Sequence, residues 1–118
     1  MPPDLPPPVL EVFYSPSCAP CRAELPALSE LIVTGGAMVR IVILDQKQRA
    51  RADLRAVSPR LEAAAIERTD GDPRQTLRAA GNETGILPFA RALNGRGEIC
   101  SRWLGGLTVA RARGLLEA

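Results

Sequence analysis

The segment VLEVFYSPSCAPCRAELPAL, Val9 to Leu28, decides how the chain is read. Val9 to Tyr14 is short, apolar and rich in β-forming side chains, the pattern of a buried strand. Ser15-Pro16-Ser17 breaks it. A helical pattern follows, with Cys21, Leu25, Leu28 and Ile32 at i, i+4, i+7 and i+11 on one face. Ser17 is the expected N-cap, and Pro20 is tolerated in the first turn. Pro26 lies inside the pattern and should kink it, and Gly35-Gly36 should end it. Cys18 and Cys21 therefore fall where a strand hands over to a helix, three positions apart.

A helix start presents unpaired backbone N–H groups and a partial positive charge, which stabilise a thiolate. The thiolate is the nucleophilic form of cysteine. The three-residue offset puts the two sulfurs side by side, close enough for a disulfide. Cys18, at the tip, is the expected attacking thiol. Cys21, one turn in on the apolar face, is the expected shielded thiol that resolves a mixed disulfide. A metal site would need more soft ligands, and only Cys100 remains. A purely structural bridge over so short a loop would constrain the unfolded chain little.

Composition narrows the alternatives. The 118 residues suit one domain with one core. A net charge of +2, with arginines scattered among acidic residues, gives no reason to expect nucleic acid or an anionic membrane as partner. The chain has no histidine, which removes imidazole general-base catalysis and every Cys/His zinc site. No metal or other cofactor is expected. No run is long and apolar enough to span a bilayer. Residues 1–8, MPPDLPPP, hold five prolines and read as an extended lead-in to a domain spanning 9–118. They carry no signal-peptide pattern, and they fit a chain whose export signal or anchor was removed.

Further along, Met38 to Leu44 reads as a second buried strand, parallel to the first through a right-handed crossover. Gln46 to Val57 reads as a helix, Ala64 to Arg68 as a short strand, and Asp72-Pro73 as the start of a helix reaching Ala80. Phe89 to Leu93 and Glu98 to Leu104 are strands around the turn Asn94-Gly-Arg-Gly97. Thr108 caps a last helix with Val109, Ala112, Leu115 and Leu116 on one face. The order implies an α/β domain with a central mixed sheet flanked by helices. Open α/β sheets usually carry their sites at the carboxyl ends of strands, where the two cysteines fall.

With these residues in place, the sequence resembles thioredoxin-fold proteins over about Val9 to Ala118. Cys18-Ala-Pro-Cys21-Arg-Ala-Glu24-Leu-Pro26 matches the C-x-x-C-[RK]-x-E-x-P pattern of the TlpA/ResA/CcmG-like branch of thiol-disulfide oxidoreductases. That branch carries an αβ insertion after the second strand, which Gln46 to about Thr69 resembles. The resemblance implies a monomeric enzyme that acts on disulfides of exported proteins, outside the cytoplasm, and is reset by an upstream thiol electron donor. An oxidant that donates its disulfide, or a non-enzymatic Cu(I)-handling module, are the competing functions. Ser17 stands where thioredoxins carry a tryptophan.

Glu24 lies three residues past Cys21, within reach of the dithiol region. A carboxylate there raises a thiol pKa by like-charge repulsion and can exchange its proton. In relatives the matching glutamate tunes the cysteines; a solvated helix glutamate is the other reading. The buried aspartate of ordinary thioredoxins falls on Val12 here, and strand alternation points Glu11 to the opposite face. The resemblance also makes Leu87-Pro88 a cis peptide that offers the Leu87 backbone to a client chain. It makes Gly105, with Gly106, the small-residue loop that admits the client. Cys100 is expected to be an inert buried residue, and Trp103 to pack near the sheet edge.

Overall fold

The computed structural model of the chain describes residues 6–35, 38–67 and 72–117. Five strands form one sheet in the order β3-β2-β1-β4-β5. They are β1 (Val9–Tyr14), β2 (Met38–Ile43), β3 (Ala65–Glu67), β4 (Phe89–Leu93) and β5 (Ile99–Leu104). Strand β1 runs parallel to β2, and β2 parallel to β3, while β4 is antiparallel to both β1 and β5. The helices are α1 (Ala19–Ala23), α2 (Leu25–Thr34), α3 (Lys47–Val57), α4 (Pro59–Ala63), α5 (Pro73–Ala79) and α6 (Val109–Leu116). The insertion after β2 is α3, α4 and β3; its expected end near Thr69 lies outside the described residues, as do Gly36, Arg68 and residues 1–5.

The two sheet faces bury different sets, because alternate residues of β1 point opposite ways. Leu10, Val12 and Tyr14 join Cys21, Leu25, Leu28, Leu31, Ile41, Ile43, Leu54, Leu61 and Ala112 in the larger core. Phe13 joins Val42, Leu44, Leu77, Ala80 and Phe89 in the smaller one. Glu11 also faces the smaller side, as strand alternation requires. It is buried, and it is held by Arg40 at 2.9 Å and Arg91 at 2.7 Å.

Three expectations need correction. The helix after the cysteines is not one kinked rod but two helices that meet at Glu24. Pro26 lacks the N–H that would bond into the first helix; the chain restarts instead, with Leu28 N–H donating to Glu24 O at 3.1 Å. The N-cap is Cys18, not Ser17, with its sulfur accepting from Cys21 N–H. Cys100 is free and exposed rather than buried. It falls at the irregularity where β4 and β5 shift register, between the Ala92–Ser101 and Leu93–Ile99 pairs. It therefore has no cross-strand partner on the edge strand.

The register gathers four loops at one end of the sheet. Phe13 pairs with Phe89, and Phe89 with Leu104. Tyr14 pairs with Ile43. The chain leaving β1, the chain leaving β2, the chain entering β4 and the chain leaving β5 consequently meet at the carboxyl end of β1.

Candidate active site

Cys18 and Cys21 are joined as a disulfide with Cα atoms 5.2 Å apart. Cys21 is fully buried in the larger core, and Cys18 is only partly covered. The asymmetry follows from the fold: Cys18 is the cap outside α1, while Cys21 faces Leu25 and Leu28. Cys21 N–H donates to Cys18 Sγ at 3.2 Å. Such a donor stabilises negative charge on that sulfur once the bond is reduced.

Glu24 is not the solvated alternative. It is 4% exposed, and its Oε2 accepts the Leu107 N–H at 2.9 Å. Burial pushes its carboxyl up from 4.5 to about 7, against the opposing effect of the Leu107 hydrogen bond. A carboxyl poised there can hold or release a proton near neutral pH.

The Leu87–Pro88 peptide is cis. Pro88 is buried, while Leu87 is half-buried and packs against both cores. Gly105, at φ 133°, donates its N–H to Pro88 O at 2.9 Å. Hydrogen bonds thus join Leu107 to Glu24, and Gly105 to Pro88. The loops that carry Cys18, Pro88 and Gly105 lie at the same end of the sheet, as the register of β1, β4 and β5 requires. Trp103 is half-buried, donates Nε1–H to Gly106 O at 3.2 Å and stacks 4.0 Å under the Arg111 guanidinium.

Sequence reasoning missed three supports. Ser15 Oγ donates to Asp45 Oδ1 at 2.8 Å, and Gln46 Nε2 donates to Ser17 Oγ at 2.8 Å. These bonds tie the start of the insertion to the loop that carries Cys18. Gln46 holds φ 49°, an unusual value for a side-chain-bearing residue and one often found beside functional loops. The contacts join residues about thirty positions apart, and no local pattern announces them. Buried Asn82 is the third support. Its Oδ1 accepts from Thr84 N, Thr84 Oγ and Gly85 N at 3.2, 2.9 and 3.0 Å, and its Nδ2 donates to Ile86 O at 2.8 Å. This Asx turn fixes the loop that delivers Leu87, and Asn-x-Thr-Gly was a readable signal for it. Among the described residues, no cluster of three or more Cys, Asp or Glu side chains is placed to hold a metal. No described helix is long and apolar enough to cross a membrane.

Fold and dithiol together define the class: a thioredoxin-fold domain with a CxxC disulfide at the carboxyl end of its first strand. Solved structures similar to the chain share that architecture. A thioredoxin-related protein from Neisseria meningitidis serogroup B superposes with a TM-score of 0.76 at 21% identity, covering 94% of this chain and 83% of its own. StoA from Bacillus subtilis superposes with a TM-score of 0.67 at 21% identity, covering 98% and 84%. A secreted thiol-disulfide isomerase from Corynebacterium glutamicum superposes with a TM-score of 0.67 at 18% identity, covering 95% and 72%. No protein-family model matches the sequence, and no curated protein matches it.

Proposed function

We propose that the protein is a thiol-disulfide oxidoreductase that reduces disulfides in exported polypeptides. The observation that carries this reading is the asymmetric pair: a partly exposed Cys18 bonded to a fully buried Cys21. In the reduced enzyme the Cys18 thiolate attacks one sulfur of a client disulfide. A Cys18–client bond forms and a client thiolate leaves. The Cys21 thiolate then attacks Cys18 Sγ and displaces the second client thiolate. Two electrons pass to the client, and Cys18–Cys21 is left oxidised. An upstream dithiol donor restores it by the same exchange in reverse.

The remaining residues support this chemistry. In this reading Glu24 takes up or returns a proton as Cys21 ionises, a role supported by its burial and by a carboxyl raised to about 7. The Leu87 backbone offers a short antiparallel pairing to the client, and Gly105 leaves room for it. The extracytoplasmic setting is supported by the resemblance, and one similar structure is of a secreted protein.

The test is the reduction potential of the Cys18–Cys21 couple, with insulin reduction as the activity. A potential near or below about −200 mV with insulin turnover agrees with a reductant. A potential above about −150 mV assigns the protein as a disulfide donor instead.

A further inference from the structure

A cleft of about 330 Å³ opens between α5 and the 82–86 loop, lined by Arg74, Arg78, Glu83, Thr84 and Gly85. We propose that it receives an acidic side chain of the client, placed on the C-terminal side of the client's reactive cysteine. The inference rests on the exchange reading above and names a specificity device for it.

Helix α5 supplies the charge. Arg74 and Arg78 are four residues apart on one helix, so both guanidinium groups project to one side. The salt bridges among the described residues use Arg40, Lys47, Arg51, Arg55 and Arg91, and neither cleft arginine. Among the described residues Glu83 is the one acidic group in the lining, beside two arginines. The lining suits a carboxylate with one or two fork-like arginine contacts.

The 82–86 loop sets the position. Its wall is rigid, because Asn82 makes four hydrogen bonds within residues 82–86. Gly85 holds φ 72°, and a Cβ built there would meet nothing within 4 Å, so a client backbone can approach. Two residues later the same chain reaches Leu87, the proposed pairing position. A client running antiparallel to residues 85–87 increases in number as this chain decreases. Client residues that follow its cysteine are the ones carried toward Gly85 and the two arginines.

The test uses disulfide-linked peptides that differ at the second to fourth positions after the cysteine, carrying Glu, Gln or Lys there. A fourth peptide carries Glu before the cysteine. Pre-reduced protein is mixed with excess peptide, and the limiting rate and half-saturation concentration of Cys18–Cys21 oxidation are measured. The Glu-after peptide should half-saturate at about three- to tenfold lower concentration than the Gln peptide, with the limiting rate unchanged. The Glu-before peptide should behave like the Gln peptide. Arg74→Glu with Arg78→Glu should reverse the preference, and Glu83→Gln should enlarge it. Glutamate, like arginine, is a good helix former, so α5 should survive the reversal; Arg74→Gln with Arg78→Gln, which should abolish the preference, is the second variant.

Equal half-saturation for Glu and Gln peptides, or a Glu preference that survives charge reversal, overturns the cleft assignment. If the Gln peptide is still reduced, the exchange reading stands without it. If wild type reduces none of the peptides, the exchange reading falls and the cleft assignment falls with it.

Discussion

The Glu24 carboxylate accepts the Leu107 N–H at 2.9 Å, joining residues 83 positions apart in the chain. The bond connects the junction of α1 and α2 to the loop that carries Gly105. Burial at this junction raises the Glu24 carboxyl to about 7 from its ordinary 4.5. Between those values the folded protein holds the proton and the unfolded chain releases it. Stability of the oxidised protein should therefore be highest below about pH 4.5 as far as this group is concerned, and fall as pH rises through about 7. Glu24→Gln mimics the protonated form and keeps an acceptor for Leu107. The variant should be more stable than wild type at pH 8 by about 3 kcal/mol, and at pH 5 by only about 1 kcal/mol. Urea unfolding of the oxidised proteins at the two pH values checks this. A gap that is the same at both contradicts a raised Glu24.

The same substitution bears on the reduced state. Removing a carboxylate near the dithiol removes like-charge repulsion, so the pKa of Cys18 or Cys21 should fall in Glu24→Gln. Titration of thiolate absorbance in the reduced proteins reads this directly. An unchanged titration leaves Glu24 with a structural role toward Leu107 alone.

Asn82→Ala should cost about 2–3 kcal/mol, since it leaves the Thr84 and Gly85 N–H groups and the Ile86 carbonyl without their partner. The loop reaches Leu87 directly, so half-saturation by disulfide peptides should also rise. Chemical denaturation and peptide kinetics test the two parts separately. A variant with wild-type stability contradicts the role assigned to the Asx turn.

Much of this architecture is legible in the sequence because it is written locally. The β-rich run Val9 to Tyr14, the break at 15–17 and the CxxC specify strand, turn and helix start in order. The hairpin around Asn94-Gly-Arg-Gly97 and the Thr108 cap are local as well. What escaped depends on tertiary register or burial. Cys100 shares the apolar, β-rich context of its neighbours, and its exposure arises from a shift against Ala92 and Leu93. Glu24 reads equally well as a surface residue, because the N–H that its carboxylate accepts, that of Leu107, lies far along the chain. Asp45 and Gln46 reach Ser15 and Ser17 only once β1 and β2 lie side by side.

Cys100 supplies an independent check on the thiol inventory. In the oxidised native protein it is the free cysteine, and it is exposed. A thiol reagent should titrate one group per chain under native oxidising conditions and all three cysteines after reduction and unfolding. Cys100→Ser should leave the rate of insulin reduction unchanged. Loss of activity in that variant would assign Cys100 a redox role that the structure does not give it.

The central claim is that Cys18 attacks and Cys21 resolves. The most direct measurement is the mass of the adduct formed when Cys21→Ser and Cys18→Ser are each mixed with a disulfide peptide under native conditions. Cys21→Ser should accumulate a stable mixed disulfide that proteolytic mapping places on Cys18. Cys18→Ser should form none through buried Cys21. An adduct on Cys21, or none on Cys18, would contradict the account.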